Sequence, residues 1–305
     1  MPEQDAPGSW LHHIRRGEFA EAWRRTDADL QARAGRPCWH LPRHLQYIWT
    51  GAPLAGRCVL VRCYHGLGDT IQFIRYVPLL KAVAAEVLVW AQPALLPLLA
   101  TVPGIDQLLP LHDGTPDVAY DADVEIMELP HLFRTTLATI PQAIPYLHVE
   151  PRRLPAAEPG KRLVGLVWQA GGWDARRSVP FALLAPLAAV PGVQLIILQA
   201  DAEAAGWQAG VGTYPGEFDL FDYARVVRGL DLLITVDSMP AHLAGALGVP
   251  VWTLLHAAAD WRWLTGREDS PWYPTMRLFW QEQPGEWEPV VARVARELER
   301  LVRKP

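Results

Sequence analysis

Residues 231–255 (DLLITVDSMPAHLAGALGVPVWTLL) carry the pattern of a buried strand, a short helix and a second buried strand. The almost continuous apolar run over residues 232–236 is typical of a strand that is covered on both faces in a parallel sheet. Ser238 is suited to cap the next helix, Pro240 to lie in its first turn, and Gly248 to end it. This pattern restricts the chain to an α/β architecture with parallel strands.

The helix in this segment begins at the carboxyl end of a strand. Open α/β sheets bind ligands at that edge, and the unpaired N–H groups of a helix N-terminus favour anions. The sequence therefore predicts a phosphate-bearing ligand. His242 lies one turn inside the helix, where it either orients the phosphate or bonds a backbone carbonyl as a structural histidine.

Two α/β patterns lie on either side of a proline-rich segment. Residues 56–150 alternate strand-like and helical segments, and a similar rhythm starts again over residues 161–285. Between them, residues 151–160 (PRRLPAAEPG) combine three prolines with a glycine and charges, as expected of a linker. The sequence thus predicts two Rossmann-like domains that face each other across a cleft.

Both ends of the chain have helical patterns. Residues 1–55 form a helical extension, in which residues 9–33 predict a helix-turn-helix pair around Gly17. Residues 286–305 predict an amphipathic helix that packs back on the domains. Three further elements are predicted: a short helix over residues 39–50, a helix over residues 69–84 and a strand near residues 146–149.

The first predicted strand ends in a glycine-rich turn with Gly66 and Gly68. This turn fails the dinucleotide fingerprint, because Ile71 takes the place of the third glycine and Gln92 ends the strand where a ribose-binding acid belongs. The turn still offers a closely approachable backbone beside Asp69. That carboxylate either caps its own helix or accepts a proton from a bound hydroxyl.

Two more residue groups follow strands of the second half. Arg176 and Arg177 precede a predicted helix, where cations oppose the helix dipole. An anionic ligand explains them, and so does a solvated surface position. Gln199 ends the strand VQLIILQ, where it either reaches a nucleobase or ribose or serves as a loop-facing amide.

Composition excludes several classes of protein. A net charge of −5 argues against a nucleic-acid partner, which would need a basic face. No basic apolar leader opens the chain, and no apolar stretch approaches the roughly 20 residues that span a bilayer. We therefore expect a cytoplasmic protein, with 14 tryptophans that leave room for peripheral membrane contact or sugar binding.

Neither the cysteines nor the histidines indicate a covalent or metal framework. Three cysteines are an odd number, and Cys58 and Cys63 are too far apart on one strand to pair. The histidines show no metal-ligand spacing, so we predict no metal. A local acidic stretch alternates with apolar residues and predicts the solvated face of a strand: Asp121, Asp123, Glu125 and Glu128.

Three motifs together resemble a known family. The segments GLGDTIQFIRYVPLL, VDSMPAHLAGALGVPVW and DWRW with DSPWYPTMRLF are similar to glycosyltransferase family 9, the ADP-heptose:lipopolysaccharide heptosyltransferase relatives, in the branch often fused to tetratricopeptide repeats. The resemblance covers about residues 56–285 and makes the N-terminal helices a repeat remnant. It implies a GT-B fold, with an N-terminal acceptor domain and a C-terminal domain that binds the nucleotide sugar.

The resemblance also implies site residues and a reaction. Asp69 matches the family's general base, and Arg177 falls near a basic residue that meets the donor phosphate. The diphosphate-binding turn of the family matches Asp237, Ser238, Met239 and His242. The implied reaction is inverting sugar transfer without a metal or other cofactor, with a nucleotide-diphosphate sugar as co-substrate.

The sequence leaves the acceptor and two alternative functions open. The acceptor hydroxyl belongs to a glycan, a lipid-linked molecule or a protein. One alternative is a non-catalytic interaction module with the same fold, which docks a partner through its N-terminal helices. The other is a nucleotide-sugar epimerase or hydrolase, which consumes donor without an acceptor.

Overall fold

The computed structural model describes residues 6–154 and 157–303, and its contacts divide the chain between His148 and Val149 into two units. Each unit is built on one parallel sheet with helices in the connections, so the predicted α/β class is confirmed. In the part of the chain that is described, no helix is both long and apolar enough to cross a membrane.

The first unit contains a sheet of four parallel strands. Its strands are β1 (Cys58–Arg62), β2 (Glu86–Ala91), β3 (Gln107–Pro110) and β4 (Ala122–Glu125), in the order β3-β2-β1-β4. Its helices are α1 (Trp10–Arg15), α2 (Phe19–Ala32), α3 (Leu67–Phe73), α4 (Val77–Lys81), α5 (Leu96–Leu99) and α6 (Leu129–Leu132). The central strand β1 pairs with β2 and β4, which explains why its residues Val59 to Arg62 are buried.

The N-terminal helices α1 and α2 form the predicted pair, with Gly17 at a positive φ of 76° between them. They belong to the same unit as the first sheet. The indole N–H of Trp23 donates to the carbonyl of Thr135 at 2.6 Å, and Asp27 contacts both His131 and Arg134 at 2.8 Å. The pair is therefore bonded to the α/β part of the unit.

The second unit contains a sheet of five parallel strands. Its strands are β5 (Arg162–Val167), β6 (Val193–Ile197), β7 (Leu232–Val236), β8 (Val251–Leu255) and β9 (Met276–Trp280), in the order β6-β5-β7-β8-β9. Its helices are α7 (Phe181–Leu184), α8 (Leu220–Arg228), α9 (Met239–Ala246) and α10 (Glu288–Arg303). The apolar stripe of α10, with Val290, Val294 and Leu298, packs into the core of this unit.

Residues 231–255 have the predicted structure of a strand, a helix and a second strand. β7 is fully buried, α9 follows it, and Gly248 after the helix has a positive φ of 71°. A Cβ atom on Gly245 would lie 2.3 Å from Cδ1 of Tyr273, so only glycine allows the helix to lie this close to the aromatic run. Trp272 and Tyr273 in that run are themselves fully buried.

Two predicted elements are wrong, and a third is formed in two helical pieces. The helix over residues 69–84 is interrupted after α3 by a 3-10 turn, because Pro78 has no N–H with which to continue the α-helical ladder. Residues 39–50 contain only a 3-10 turn at Arg43–Leu45, since the N–H groups of Ile48 and Trp49 bond to the Glu128 carboxylate instead. No strand forms near residues 146–149.

The capping role of Ser238 differs from the prediction. Ser238 occupies the N-cap position of α9, but its hydroxyl donates to the carbonyl of Val236 at 3.2 Å and makes no bond to the helix. Pro240 has no N–H to offer, and the N–H of Ala241 is taken by the Ser238 carbonyl. The Ser238 side chain therefore finds no free N–H at the second or third position of the helix, where a capping side chain bonds.

Candidate functional site

A pocket of about 450 Å³ lies at the carboxyl ends of the strands in the second unit. It is bordered by the residues that follow β5 and β6 and by the first turn of α9, the place where open α/β sheets bind ligands. Its lining brings together Gln199, Ser238 and Met239 of the predicted site. The other lining residues include Gln169, Asp201, Glu217, Phe218, Leu220 and Tyr223.

Gln199 has a bracing role at this edge. Its Oε1 accepts the N–H groups of Trp168 and Gln169 at 3.1 and 2.8 Å, and its Nε2 donates to the carbonyl of Ala200 at 3.1 Å. These bonds hold the ends of β5 and β6 together beneath the pocket. The contribution of Gln199 to nucleotide binding stays a prediction.

Arg177 is tied to the turn between β7 and α9. Its Nη1 donates to the backbone carbonyl of Asp237 at 3.1 Å, while its Nε is buried without a hydrogen-bond partner among the described residues. The neighbouring Arg176 instead pairs with Asp174, at 2.9 Å from Nε to Oδ1. The structure therefore separates the two arginines. Only Arg177 reaches the predicted phosphate turn, and it lies outside the pocket lining.

Asp237 is a buried carboxylic acid at the end of β7, with 4% of its surface exposed. Burial raises the pKa of Asp237 to about 6, and the charge of Asp260 acts in the same direction. Arg262, the Trp263 side chain and Arg177 oppose this rise in pKa. Asp237 does not line the pocket, so its side chain belongs to the charged cluster beneath the turn.

His242 lies in the core behind the same turn. Its Nδ1 is 3.0 Å from the hydroxyl of Tyr273, and its ring stacks on Trp263 with a centroid distance of 5.2 Å. Only 3% of the residue is exposed, and it is absent from the pocket lining. His242 therefore has the environment of a structural histidine. Its partner is the hydroxyl of Tyr273 and not the predicted backbone carbonyl.

In the first unit, the glycine-rich turn leads from β1 into α3. The Oδ2 of Asp69 accepts the N–H of Gly66 at 2.9 Å, which is the capping geometry expected of an acid at the third helical position. A Cβ atom on Gly66 would lie 3.2 Å from this oxygen, and Gly68 lies within the first turn of α3. Asp69 is half-buried and serves as a cap, and its role as a general base stays a prediction.

Two residues that brace this turn, Gln92 and Glu125, were missed or misinterpreted in the sequence. Gln92 donates from Nε2 to the carbonyl of His65 at 2.7 Å and accepts the hydroxyl of Thr70 at 3.0 Å. Glu125 was predicted on a solvated face, but it is 1% exposed. Its Oε1 lies 2.9 Å from Nδ1 of His65 and accepts the N–H of Tyr64. Polar residues that end neighbouring strands were the signal available to find them.

The described part of the chain has neither a disulfide nor a cluster of potential metal ligands. Cys38, Cys58 and Cys63 are free thiols. Among residues 6–154 and 157–303, no group of three or more His, Cys, Asp or Glu side chains is arranged to hold a metal ion.

The two sheets, their parallel topology and the pocket at α9 define a GT-B fold of the heptosyltransferase kind. The chain resembles the crystal structure of a glycosyl transferase family 9 protein from Veillonella parvula with a TM-score of 0.62, at 14% identity over 83% of this chain and 99% of that one. It resembles E. coli ADP-heptose lps heptosyltransferase II with a TM-score of 0.57, at 16% identity over 80% of this chain and 98% of that one. These likenesses confirm the predicted fold.

A sequence relative is protein FlbA from Caulobacter vibrioides. It is 29% identical over 318 residues, which cover 92% of this chain and 52% of FlbA. The chain thus spans about half the length of the curated relative that it matches. No protein-family model matches the sequence.

Proposed function

We propose that this chain is an inverting, metal-independent glycosyltransferase, which moves a sugar from a nucleoside diphosphate to a hydroxyl group. The observation that carries the proposal is the pocket at the start of α9, in a fold whose solved examples include family 9 transferases. A helix N-terminus is an anion site, and the pocket volume suits a nucleotide-sized ligand. The name of the E. coli neighbour makes ADP-heptose the first donor to test.

In the proposed reaction the acceptor oxygen bonds to the anomeric carbon while the bond from that carbon to the diphosphate oxygen breaks. Asp69 takes the proton of the attacking hydroxyl, and attack from the face opposite the leaving group inverts the anomeric centre. The diphosphate departs with its electron pair and is held by the first turn of α9 and by Arg177.

Residue roles in the donor pocket follow from the contacts. Phe218, Leu220 and Leu198 supply apolar surface for the nucleobase, and Ser238 and Met239 place the start of α9 against the diphosphate. The buried Nε of Arg177 gains a partner when an anionic oxygen binds beside it. Asp237 and His242 support the turn from behind rather than contact the donor.

The first experiment is a thermal-shift screen with ADP, UDP, GDP and CDP, followed by ADP-heptose and common nucleotide sugars. Stabilisation by one nucleotide supports the donor site and identifies the base. If none stabilises the protein, the non-catalytic module becomes the better explanation. Donor consumption without an added acceptor would instead favour an epimerase or hydrolase.

The second experiment separates the two roles of Asp69. An Asp69→Asn variant keeps an oxygen that accepts the Gly66 N–H but loses the basic carboxylate, so we expect normal donor binding and about 100-fold or greater loss of transfer. Asp121→Asn is the matched control, because Asp121 also accepts a backbone N–H, from Cys58, but at the amino end of β1. Near-normal turnover by Asp69→Asn would reject the base assignment.

Arg177 and the metal requirement are tested with the same donor. Arg177→Ala should weaken nucleoside diphosphate binding, measured by calorimetry, because it removes a charge-assisted bond to the phosphates. Unchanged affinity would remove Arg177 from the site. Transfer should also survive prolonged treatment with EDTA, and its loss with recovery on adding a divalent cation would contradict the metal-independent mechanism.

A further inference from the structure

A second pocket, of about 440 Å³, lies within the first unit. None of the predicted site residues lines it. One wall comes from α1 and α2, another from the loop that precedes β1, and the floor from the residues that follow β1 and β4. We name it the extension pocket. Its lining is Trp10, Trp23, Thr26, Asp29, Leu30, Arg33, His44, Leu45, Gln46, Tyr47, Trp49, His65, Glu125, Met127, Glu128 and His131.

Two carboxylates hold the walls of the extension pocket in place. Glu128 accepts the N–H groups of Ile48 and Trp49, at 3.3 and 2.9 Å, and that of Glu125 at 2.9 Å. Glu125 in turn accepts the N–H of Met127 at 2.6 Å and lies beside His65. Hydrogen bonds to Glu125 and Glu128 therefore fix the loop and the floor of the pocket. The pocket is thus formed without a ligand.

The walls combine aromatic rings with a few polar groups. The indole N–H groups of Trp10, Trp23 and Trp49 bond to Thr26, Thr135 and Ala52, so their hydrogen bonds are satisfied inside the protein. The guanidinium carbon of Arg33 lies 4.2 Å from the centroid of the Tyr47 ring. Aromatic surface with a few convergent polar groups is typical of small-molecule sites in this range of volume.

The charges in the extension pocket indicate a neutral polar ligand. Three carboxyl groups line it, from Asp29, Glu125 and Glu128, together with one guanidinium, from Arg33, and three imidazoles. Burial raises the pKa of Glu128 to about 7, so this carboxyl group is partly protonated at neutral pH. An anion would meet the carboxylates, and an apolar chain would leave the polar groups without partners. A ring that carries hydroxyl groups satisfies both conditions, because hydroxyls donate to carboxylates and accept from guanidinium and imidazole.

The extension pocket adjoins the turn that carries Asp69. His65 lines the pocket, is bonded through its carbonyl to Gln92, and lies four residues before Asp69 in the same turn. We propose that the extension pocket binds a sugar residue of the acceptor, and that the N-terminal helices are thus part of the acceptor site. This inference rests on the proposed transferase function and names the chemical class of its acceptor.

The test is binding of free sugars to the full chain. A printed array of mono- and disaccharides identifies a ligand, and calorimetry with that sugar measures its affinity. Tyr47→Ala and Arg33→Gln should each weaken sugar binding about tenfold or more, which corresponds to losing one good contact. Leu79→Ala is the control, because Leu79 is an exposed large side chain of the same unit outside the pocket.

The outcomes separate this inference from the proposed function. Sugar binding that falls in both pocket variants, with the nucleotide thermal shift unchanged, supports the acceptor pocket. A wild-type chain that binds no sugar, or pocket variants that bind it normally, would overturn the inference and identify the pocket as a solvent-filled gap. Failure of the proposed function is recognised differently, as loss of any nucleotide response in the wild-type chain.

Discussion

The buried carboxyl group of Asp237, at the turn between β7 and α9, allows the stability cost of a buried acid in the second unit to be measured. The pKa of this group rises from 3.8 to about 6, chiefly through burial. At about 1.36 kcal/mol per pKa unit, the rise corresponds to roughly 3 kcal/mol of folding free energy. Asp237→Asn removes the ionisable group and keeps nearly the same shape.

The sign of the effect follows from the direction of the shift. Below pH 3.8 the carboxyl is protonated in the folded and the unfolded chain, so it adds no ionisation cost. As the pH rises from 3.8 through about 6, the unfolded chain ionises first, and the folded state loses up to about 3 kcal/mol relative to it. The free-energy difference between Asp237→Asn and wild type should therefore move in favour of the variant over this window.

The assay is urea-induced unfolding at a series of pH values between 4 and 8. Hydrogen–deuterium exchange of the peptide that covers β7 and α9 ensures that the stability measured is that of the second unit. Asp231→Asn is the control, because Asp231 precedes the same strand and its side chain is 40% exposed, so no buried charge is removed. Parallel pH profiles for wild type and Asp237→Asn would refute the reasoning.

Two further predictions concern a close packing contact and a buried hydrogen bond. Gly245→Ala should lower the free energy of unfolding of the second unit by about 1–3 kcal/mol, because the new Cβ would lie 2.3 Å from Tyr273. Gly172→Ala is its control, since a Cβ there would meet no atom within 4 Å. Equal stability of the two variants in urea would contradict the packing argument. Trp23→Phe should cost about 1–3 kcal/mol by leaving the buried carbonyl of Thr135 without its donor, and it should speed hydrogen exchange over α1 and α2. Trp173→Phe, at an 83% exposed position, is the control, and unchanged exchange in the Trp23 variant would show that the bond does not anchor the helices.

The elements that could be predicted are those whose structure is decided locally. β7 and α9 combine an apolar run, a proline in the first helical turn and a glycine after the end, and all three signals act within a few residues. The buried strand β1 and the helix pair α1–α2 follow from periodicity in the same way. This local information was enough to predict the fold class.

The errors arose where a distant side chain decides the backbone. Residues 39–50 have an apolar and basic pattern that suits a helix, but the N–H of Trp49 bonds to Glu128, 79 residues away. Glu125 alternates with apolar residues as a solvated acid would, yet the N–H groups of Tyr64 and Met127 satisfy it in a buried position. Neither partner can be read from spacing along the chain.

The candidate site was partly predictable for the same reason. Position at the end of a strand identified Asp69, Gln199 and Ser238 at the sheet edges. It did not distinguish side chains that face the pocket from His242 and Asp237, which lie behind the turn, because that distinction depends on how α9 packs on the aromatic run.

The bonds that Trp23 and Asp27 make to the α/β part of the first unit affect how such chains can be recombined. A repeat that is only appended to an enzyme can be removed or exchanged without harm to its neighbour. Here a cut at residue 55 would strip a donor from Thr135, leave His131 without its carboxylate partner and open one side of the extension pocket. We expect the extension and the first sheet to be inherited together, so that a change of helices in a relative is also a change of the surface that meets its ligand.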